Sequence, residues 1–436
     1  MNEARTLAAM AAFAAQETAL AMLFAFSAIC AMAAAWVFIL STANSLWLAS
    51  TNRLRPTAPI ASPRISVLVP ARNEAQRIEK CLASLLAQDY ADYEIIVYDD
   101  DSSDGTGPIL DRLAARQAES RQAAARLAAA SSPSDTGIPG ARSEPSLAII
   151  RGHGLPEGWY GKAWAMHTLA KAASGEYLLF TDADTIHAPG SLARLSALAV
   201  RCGADLVSGY VQHEIPNFGQ AAVVPAIYLL TMAIMPLALI RATRIPAFSH
   251  AIGQCMFFKA ESYWRIGGYE AVRGLISEDV RIARLAKRSG AVLAFADLKH
   301  QISCSMYEDY RSAVDGIAKN VFDYMNKSRL LLALATIAVP LVCYIPLLAS
   351  AWLPPALTAT IAPFPGRGPI SAQNLFRITS ALFFAAWIPV TIERRLPWYQ
   401  PLISPIVLAS TLSAGWRARS RFRRGESLVW KGRKVS

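Results

Sequence analysis

Acidic residues gather at the end of the second of two apolar runs near residue 100. In EIIVYDDDSSDGT (94–106), four of them fall within six positions. An earlier run, ISVLVP (65–70), leads into the polar segment ARNEA (71–75). Carboxylates at strand ends can accept hydrogen bonds from a nucleobase N–H or from ribose hydroxyls. The alternative is a helix-capping turn, although a cap needs one acidic residue rather than four. The candidate binding residues of this pattern are carboxylates of the two segments, among them Glu74, Asp99 and Asp100.

A second group of carboxylates, Asp182 and Asp184, follows the apolar run YLLF (177–180). If a strand continues through both residues, their side chains share one face, because alternate residues of a strand do so. Two converging carboxylates suit a hard cation such as Mg²⁺ or Mn²⁺, which often bridges carboxylates to substrate phosphates. The alternative is a solvated turn. We predict that Asp184 and Asp182 bind a divalent metal ion.

Glu278 and Asp279 open the segment EDVRIARLAKR (278–288), which has the pattern of a helix. The first turn of a helix favours acidic residues because of the helix dipole, and this alone can explain the pair. Their position after GGY (267–269) and downstream of TDAD (181–184) favours a catalytic role instead. We expect Asp279, with Glu278 beside it, to take a proton from an attacking hydroxyl.

One lysine, Lys162, stands in the glycine-containing segment WYGKAW (159–164). The spacing GxxxxGK[ST] of a Walker loop is missing here. A lysine in a flexible loop can still neutralise a diphosphate group. The alternative is an ordinary surface lysine.

The elements that position these residues alternate between strands and helices. Strands are predicted at 65–70, 94–100, 147–151, 177–184 and 204–211, with helical stretches between them. We therefore expect an α/β domain over 64–327, with a parallel or mixed sheet and helices on both faces.

The segment 215–240 carries no charge, although it lies between Asp184 and Asp279. A full membrane crossing would place these two residues on opposite sides of the bilayer. Pro225 and Pro236 also limit a straight helix. We expect the segment to lie in the membrane interface, and the alternative is a plain core helix.

The 436-residue chain is 53% hydrophobic and 17% charged. Soluble globular proteins carry about 25% charged residues, so a wholly soluble or a disordered protein is excluded. The net charge is +11. Because basic residues crowd beside apolar spans and in the tail 417–436, we expect anionic lipid head groups, and not nucleic acid, as their partner. The six cysteines form no CxxC pair, and we expect buried, reduced thiols.

Four apolar segments are candidates for membrane helices. The first, 18–52, is uncharged and exceeds the ~20 residues of a spanning helix, which favours a retained anchor (1–52) over a cleaved signal peptide. The other three, within 328–416, are 330–353, 378–392 and 396–416. An anchor and three further spans would place the basic tail opposite the soluble domain, against the positive-inside rule. We therefore expect the short segment 378–392 to be interfacial or re-entrant.

VPARNEA, YDDDSSDGT, TDAD and SED occur in the order typical of family 2 glycosyltransferases, and over 64–327 the chain resembles a membrane-anchored member of that family with the GT-A fold. WYGK (159–162), Met306-Tyr307, DGIAKN (315–320) and WKGR (430–433) resemble the carotenoid-acid glycosyltransferases of the 4,4′-diaponeurosporenoate type. Hopanoid-associated glycosyltransferases are also similar.

The resemblance implies a role for each matched residue. Asp182 would lie near the ribose and the metal ion, Asp184 would be the main metal ligand, and Asp279 the base. The chain departs from the family in Asp101, which replaces a glycine common after the two aspartates. The residues implied to line a uridine pocket are Pro70, Arg72, Glu74 and Asp100.

The implied activity is inverting transfer of a sugar from a nucleotide sugar, with UDP-glucose as the expected donor, to a membrane lipid such as a carotenoid acid. The QxxRW motif of processive synthases is missing after Asp279, which favours transfer of a single sugar. Polyprenyl-phosphate and hopanoid acceptors remain alternatives, as do a degenerate membrane-tethered binding protein and a transporter. The expected location is the cytoplasmic membrane, with the catalytic domain facing the cytoplasm.

Overall fold

The structure is a computed structural model that describes residues 2–52, 62–130, 144–275, 277–324, 328–352, 360–361, 370–424, 429–430 and 433–434. Parts of the predicted basic tail and the last residue of the segment 330–353 lie outside the described residues.

A mixed sheet of seven strands forms the centre of the described domain, in the order β3-β2-β1-β4-β8-β6-β9. The first four strands in this order are parallel, whereas β8 runs antiparallel to both of its neighbours. A small second sheet has the order β5-β10-β7. The strands of both sheets are β1 Ile65–Ala71, β2 Tyr93–Asp99, β3 Ser146–Arg151, β4 Tyr177–Phe180, β5 Thr185–His187, β6 Leu206–Tyr210, β7 Gln212–His213, β8 Met256–Lys259, β9 Leu293–Asp297 and β10 Ile302–Cys304; outside them, β11 Thr360–Ile361 pairs with β12 Ile370–Ser371, and β13 Val429–Trp430 with β14 Arg433–Lys434.

Helices cover the sheet and continue into the apolar ends of the chain. They are α1 Asn2–Thr51, α2 Ile78–Leu86, α3 Thr106–Ala130, α4 Gly161–Ala172, α5 Ser191–Cys202, α6 Phe218–Ala221, α7 Ala226–Met232, α8 Leu239–Ala242, α9 Ala260–Arg265, α10 Glu278–Arg288, α11 Tyr310–Tyr324, α12 Arg329–Val339, α13 Ile345–Trp352, α14 Ala372–Ala385, α15 Trp387–Arg394 and α16 Gln400–Arg423, with a 3₁₀ turn at Gly268–Val272 and a π-helical turn at Pro340–Tyr344.

Both faces of the sheet are buried, which explains why its central strands are almost continuously apolar. Leu68 and Phe180 pack on one face with Met166 of α4. Val67 packs on the other face with Leu82 of α2. The architecture agrees with the predicted α/β domain. The predicted strand 177–184 is wrong at its end, because β4 stops at Phe180, and β8, β9 and β10 were not predicted.

The uncharged segment 215–240 is broken into the short helices α6, α7 and α8. The breaks fall at Pro225 and Pro236, as expected of residues that lack a backbone donor. Asn44 of α1 satisfies the freed backbone groups, since its Nδ2 donates to the carbonyls of Met232 (2.7 Å) and Met235 (2.9 Å), and its Oδ1 accepts from Leu237 N (2.9 Å). The segment therefore packs against the anchor helix as a folded-back unit.

Three helices in the described part of the chain are long and apolar enough to cross a membrane: Arg5–Thr51, Arg329–Trp352 and Ala372–Arg394. The segment 378–392 lies within the third of them, whose 23 residues are long enough to span, so the prediction of a short segment is wrong, whereas its interfacial or re-entrant placement stays a prediction. The helix had been underestimated because Arg377 interrupts its apolar stretch. Conversely, α16, which covers the predicted span 396–416, is not among the three.

Helix α16 packs instead against the helices that follow the domain. Ala414 and Ala418 are fully buried in one cluster with Val321 of α11 and Leu332 of α12. At Gly415 the helices approach so closely that an added Cβ would lie 2.9 Å from Leu332 Cδ1. The helix α16 is therefore part of the layer that contacts α11.

Five side chains form a polar junction cluster where α1 and α15 reach the sheet: Asn52, Asp297, Lys299, Glu393 and Arg394. Asp297 is fully buried at the end of β9, and its carboxylate accepts hydrogen bonds from Arg394 Nη1 (2.7 Å) and from Asn52 Nδ2. Lys299 Nζ lies 2.9 Å from Asp297 and also bonds Glu393. One buried carboxylate thus connects the ends of two candidate membrane helices to the sheet.

We expect Asp297→Asn to lower the free energy of unfolding by about 3–5 kcal/mol, because the fully buried Arg394 loses its charge partner. Thermal unfolding of the detergent-purified chain measures the effect. The matched control is Asp92→Asn, whose pair with Arg64 (3.2 Å) is about half exposed and contributes less than about 1 kcal/mol. Equal, small shifts in the two variants would contradict the expectation.

Candidate active site

Two loops meet at the carboxyl ends of β1 and β2. Asn73 and Asp101 both adopt left-handed backbone conformations, with φ of 52° and 56°. Asn73 connects the loops, because its Oδ1 accepts a hydrogen bond from Ser103 N (2.9 Å) and its backbone N donates to Ser102 Oγ (3.0 Å). Asp101, which replaces the glycine common in the resembled family, thus has a backbone conformation that glycine favours and aspartate tolerates.

We expect Asp101→Gly to raise the midpoint of thermal unfolding by about 1–2 °C, since relief of the left-handed strain slightly exceeds the entropy that glycine adds to the unfolded chain. Ser103→Gly, in the same loop but at an ordinary φ, is expected to lower the midpoint by a similar amount. A lower midpoint in both variants would show that contacts of the Asp101 side chain outweigh the strain.

The predicted nucleotide-binding residues lie around these loops. Pro70 pairs with Tyr98 in the sheet, and Asp100 follows β2 and is 3% exposed. Arg72 donates to the carbonyl of Asp100 and lies 3.8 Å from its carboxylate. Glu74, 6% exposed, is anchored through its backbone N, which donates to Thr106 Oγ1 (2.8 Å). The structure therefore brings Pro70, Arg72, Glu74 and Asp100 to one edge of the sheet.

Asp99 points to a different set of partners. Its carboxylate forms an ion pair with Arg151 at the end of β3, and Arg151 also contacts Asp111 of α3. The Asp99 carboxylate further accepts a hydrogen bond from Ser102 N (3.2 Å). Asp99 thus connects β2, β3 and the loop, a structural arrangement that the sequence pattern did not separate from ligand binding.

Asp182 and Asp184 lie in the tight connection between β4 and β5, and not on the strand that was predicted. Two hydrogen bonds stabilise this connection. Thr181 Oγ1 donates to the carbonyl of Gln254 (2.8 Å), and Thr185 Oγ1 donates to the carbonyl of Asp182 (2.7 Å). A turn therefore brings the two carboxylates together, and the argument from strand alternation is wrong.

Asp184 is half-buried next to the small sheet. Its Oδ1 accepts a hydrogen bond from Cys304 Sγ (3.5 Å) on β10. Shielding from water, with a smaller contribution from the negative charge of Asp182, raises the pKa of Asp184 to about 6. A cation beside Asp184 would offset both effects, so the pair fits a divalent ion.

A buried polar row continues behind Cys304. Gln254 Nε2 lies 3.5 Å from Cys304 Sγ, and Gln254 Oε1 lies 3.2 Å from His213 Nε2. Burial lowers the pKa of His213 to about 4, so its ring is neutral near pH 7. Sequence reasoning had treated this histidine and this cysteine as structural, and no local signal connects them to Asp184.

Lys162 connects the two acidic motifs. It is the second residue of α4, and its Nζ lies 2.7 Å from Asp182 Oδ1 and 3.8 Å from Glu278 Oε1. Although shielding from water lowers the pKa of Lys162, the carboxylates of Asp182, Glu278 and Asp279 raise it above its ordinary value. The alternative of an ordinary surface lysine is therefore wrong.

Asp279 lies in the first turn of α10, beside Glu278. Its Oδ2 accepts a hydrogen bond from the backbone N of Gly253 (3.0 Å). Shielding from water raises the pKa of Asp279, an effect that the charge of Lys162 opposes. The structure thus brings Asp182, Asp184, Lys162, Glu278 and Asp279 close together, and their roles in binding and catalysis stay predictions.

Gly253 is a residue of this site that sequence reasoning missed. A Cβ at this position would lie 3.2 Å from Lys162 Nζ and 3.5 Å from Asp279 Oδ2. The backbone therefore approaches both charged groups more closely than most side chains would permit.

The protein side chains alone do not form a complete metal site. Among the described residues, no group of three or more His, Cys, Asp and Glu side chains is placed to hold a metal ion. The two carboxylates next to Lys162 still suit Mg²⁺ or Mn²⁺, because these ions commonly take one or two carboxylates and complete their shell with substrate phosphates and water.

Residues 66–131 and 149–267 match the family profile Glycosyl transferase family 2. The matched ranges contain the loops after β1 and β2 and the turn with Asp182 and Asp184. Over these ranges the chain is therefore similar to glycosyl transferase family 2. Together with the mixed sheet, the match confirms the predicted GT-A fold class and the predicted enzyme class, a glycosyltransferase.

Individual relatives cover smaller parts of the chain. Glycosyltransferase AglE of Haloferax volcanii is 30% identical over 162 residues, which are 37% of this chain and 43% of the relative. GalNAc(5)-diNAcBac-PP-undecaprenol beta-1,3-glucosyltransferase of Campylobacter jejuni is 45% identical over 51 residues, which are 12% of this chain and 16% of the relative. The chain thus matches less than half the length of these curated relatives.

One similar solved structure is the mannosyltransferase PcManGT from Pyrobaculum calidifontis in complex with GDP-Man and Mn²⁺. It aligns over 92% of this chain and 91% of its own, with 17% identity and a TM-score of 0.45.

Proposed function

We propose that this protein transfers a single sugar from a nucleotide diphosphate sugar to a lipid acceptor at a membrane surface, with inversion at the anomeric carbon. The observation that carries the proposal is the contact of Lys162 with both Asp182 and Glu278. Lys162 and Asp182 lie in the range that matches glycosyl transferase family 2, and Glu278 lies just beyond it. The ammonium group of Lys162 lies between the two acidic motifs, and the diphosphate of a donor would bind beside it.

The donor half of the site would divide the work among three groups of residues. Pro70, Arg72, Glu74 and Asp100 would bind the nucleoside, with Asp99 supporting the loop. Asp184 and Asp182 would hold Mg²⁺ or Mn²⁺, which supplies positive charge for the departing diphosphate. Lys162 would add a second positive charge on the same leaving group. UDP-glucose is the donor that we propose.

The acceptor half would depend on Asp279. Its carboxylate faces the same cleft, and its raised pKa brings it closer to the value at which a general base is most effective near neutral pH. Hydrogen bonds from Gly253 N to Oδ2 (3.0 Å) and from Val280 N to Oδ1 (2.8 Å) orient the carboxylate, and a remaining lone pair would accept the proton of the acceptor hydroxyl. Glu278, paired with Lys162, would position that lysine.

The membrane helices support a lipid acceptor. If all three candidate spans cross, the domain after the first and the helix α16 after the third lie on the same side of the bilayer. The packing of α16 against α11 requires that same arrangement. We therefore propose a protein of the cytoplasmic membrane whose domain and basic C-terminal segment both face the cytoplasm, where Arg417, Arg423 and Arg424 can meet anionic lipids.

The acceptor that we propose is a carotenoid or apocarotenoid acid. The short match to an enzyme named for an undecaprenol-linked substrate supports lipid acceptors in general and keeps a polyprenyl phosphate, or a hopanoid, as the second candidate. Extraction and mass analysis of the lipid product distinguish the three.

We expect Gly253→Ala to lower turnover about tenfold while leaving thermal stability nearly unchanged. The new methyl group would lie 3.2 Å from Lys162 Nζ and would displace this ammonium by a few tenths of an ångström, and small misplacements of reacting groups are costly. The control is Gly274→Ala, where an added Cβ makes an ordinary contact of 3.6 Å. Equal activity of the two variants would contradict the placement of Gly253 at the site.

Donor binding and hydrolysis by the detergent-purified chain test the proposal directly. UDP-glucose and GDP-mannose are compared, each with Mn²⁺ and with EDTA. We expect Mn²⁺-dependent binding and slow hydrolysis of UDP-glucose. The absence of metal-dependent binding of any UDP-sugar would overturn the proposed function, whereas a preference for GDP-mannose would overturn only the choice of donor.

A further inference from the structure

Four buried side chains form a continuous row of hydrogen bonds that ends at Asp184. They are His213 at the end of β7, Tyr228 in α7, Gln254 just before β8 and Cys304 at the end of β10. Each of the four residues is at most 3% exposed, so water competes little for the bonds between them. Such bonds are stronger electrostatically than bonds at a wet surface, and they fix the side chains that form them.

The first two bonds of the row have a definite direction. Burial lowers the pKa of His213 to about 4, so near pH 7 its ring carries a single proton. Gln254 Oε1 can only accept, and its 3.2 Å contact therefore places that proton on His213 Nε2. His213 Nδ1 is then an acceptor. The Tyr228 hydroxyl donates to it, because this contact (2.6 Å) is much shorter than the one to the carbonyl of Val211 (3.4 Å).

The next two bonds continue in the same direction to the acidic site. Gln254 Nε2 donates to Cys304 Sγ (3.5 Å), so the thiol accepts on this side. The proton of the Cys304 thiol is directed at Asp184 Oδ1, also at 3.5 Å. All four bonds thus run from Tyr228 toward Asp184. Bonds aligned in this way polarise one another, which strengthens the weak donor at the end of the row.

The row starts at the end of the third candidate membrane helix. The guanidinium group of Arg394, the last residue of α15, lies 5.1 Å from the centre of the Tyr228 ring. Arg394 Nη2 also donates to the carbonyl of Val211 (2.6 Å), two residues before His213. Arg394 is held in turn by Asp297 in the junction cluster. The row therefore connects the junction cluster with Asp184 through groups that are each fixed by a neighbour.

The final bond leaves Asp184 one oxygen for a ligand. Cys304 Sγ occupies Oδ1, so the rotation of the carboxylate is restricted while Oδ2 has no role in the row. The backbone on either side is also held, since Thr181 Oγ1 donates to the Gln254 carbonyl (2.8 Å) and Asp184 O accepts from Ser305 N (3.4 Å). Carboxylates that bind metal ions are commonly oriented by a second hydrogen bond of this kind.

We infer that Cys304 and Gln254 are positioning residues for Asp184. The thiol holds one carboxylate oxygen, the aligned row fixes the thiol, and the other oxygen is presented to a divalent cation. The inference rests on the proposed function in assigning a metal ion to Asp184. The row itself consists of protein groups alone, so its direction can be tested without metal or donor.

The direction of the row is tested by the S–H stretching band of Cys304 in the infrared spectrum of the metal-free full chain in detergent. The band is assigned by its loss in Cys304→Ala. We expect Gln254→Leu to move it to higher frequency, because a thiol that no longer accepts a hydrogen bond donates more weakly. Tyr228→Phe keeps the ring beside Arg394 and should move the band in the same direction by less. A band that is unchanged in both folded variants would overturn the aligned row.

The positioning role is tested by the affinity for Mn²⁺ in the presence of saturating UDP, read from the electron paramagnetic resonance signal of free Mn²⁺. Loss of a group that orients a metal ligand typically costs about 10–100-fold in affinity, and a thiol is a weak donor, so we expect about tenfold for Cys304→Ala. Cys304→Ser restores a donor and an acceptor and should bind Mn²⁺ as tightly as the unchanged chain. The matched control is Cys255→Ala, which removes a thiol buried in the apolar core and should leave the affinity unchanged.

Turnover separates positioning from damage to the fold. Excess Mn²⁺ should restore the turnover of Cys304→Ala, whereas misfolding would not respond to the metal concentration. Equal Mn²⁺ affinities of Cys304→Ala and Cys304→Ser, with metal-dependent UDP binding intact, would refute the positioning role alone. If the unchanged chain binds no Mn²⁺ with UDP, the proposed function and the metal role of Asp184 both fail, while the infrared band still decides whether the row exists.

Discussion

Replacing Asp184 with asparagine is expected to reduce glycosyl transfer at least about 10²–10³-fold, the usual cost of removing one group that stabilises charge in a transition state. Asparagine has nearly the same shape but is a poor ligand for a hard cation. The apparent affinity for Mn²⁺, measured through donor binding, should fall together with turnover. A variant that retained Mn²⁺-dependent turnover would remove Asp184 from the metal site.

The same substitution should not harm the fold. Shielding from water and the charge of Asp182 both disfavour an ionised Asp184, so a neutral amide relieves an unfavourable interaction. We expect the midpoint of thermal unfolding to stay equal or to rise slightly. Asp92→Asn, an exposed pair on the far side of the domain, serves as the control for both activity and stability.

The second large effect concerns Asp279 and depends on the acceptor. A hydroxyl acceptor must lose a proton as it attacks, whereas a carboxylic acid, with a reference pKa near about 4, is already ionised at neutral pH. General-base catalysis is typically worth about 10²–10⁴-fold. We therefore expect Asp279→Asn to lose about that factor with an alcohol acceptor and far less with a carboxylate acceptor.

The two acceptors separate the loss of a base from a change of position, because a change of position should lower transfer to both acceptors alike. Asparagine keeps one oxygen for Gly253 N but cannot also accept from Val280 N. Glu278→Gln is the companion variant. It weakens the contact with Lys162 and should reduce transfer to both acceptors by the same, smaller factor. Equal losses with both acceptors in Asp279→Asn would show that Asp279 positions the substrate and does not act as a base.

The chemistry of the site was visible in the sequence, whereas its supporting residues were not. Asp182, Glu278 and Asp279 stand in short motifs whose composition has few structural explanations. Cys304 ends β10 and contacts Asp184 because β10 pairs with β5, whereas Gln254 lies just before β8 and contacts Cys304. Contacts made by distant strands leave no periodic pattern in the chain.

The errors have equally local causes. The predicted strand 177–184 is too long, because it was inferred from the apolar run alone. The turn after Phe180 depends on the buried hydroxyl of Thr181. A single charge, Arg377, made the helix Ala372–Arg394 look too short to span, and the long apolar stretch of α16 hid a helix that packs on the domain. The sequence alone does not predict the left-handed conformation of Asp101, because that conformation depends on hydrogen bonds with the neighbouring loop.

The junction cluster has a consequence for kinetics. Because Asp297 bonds the ends of α1 and α15 directly, the distance of the cleft from the bilayer is set by a stiff joint. An enzyme attached in this way cannot move away from the membrane surface to reach a substrate. A lipid acceptor of the kind proposed above would arrive by lateral diffusion, so the relevant concentration would be its mole fraction in the membrane. Diluting vesicles at constant composition should leave the rate per enzyme unchanged, whereas diluting the acceptor with inert lipid should lower it.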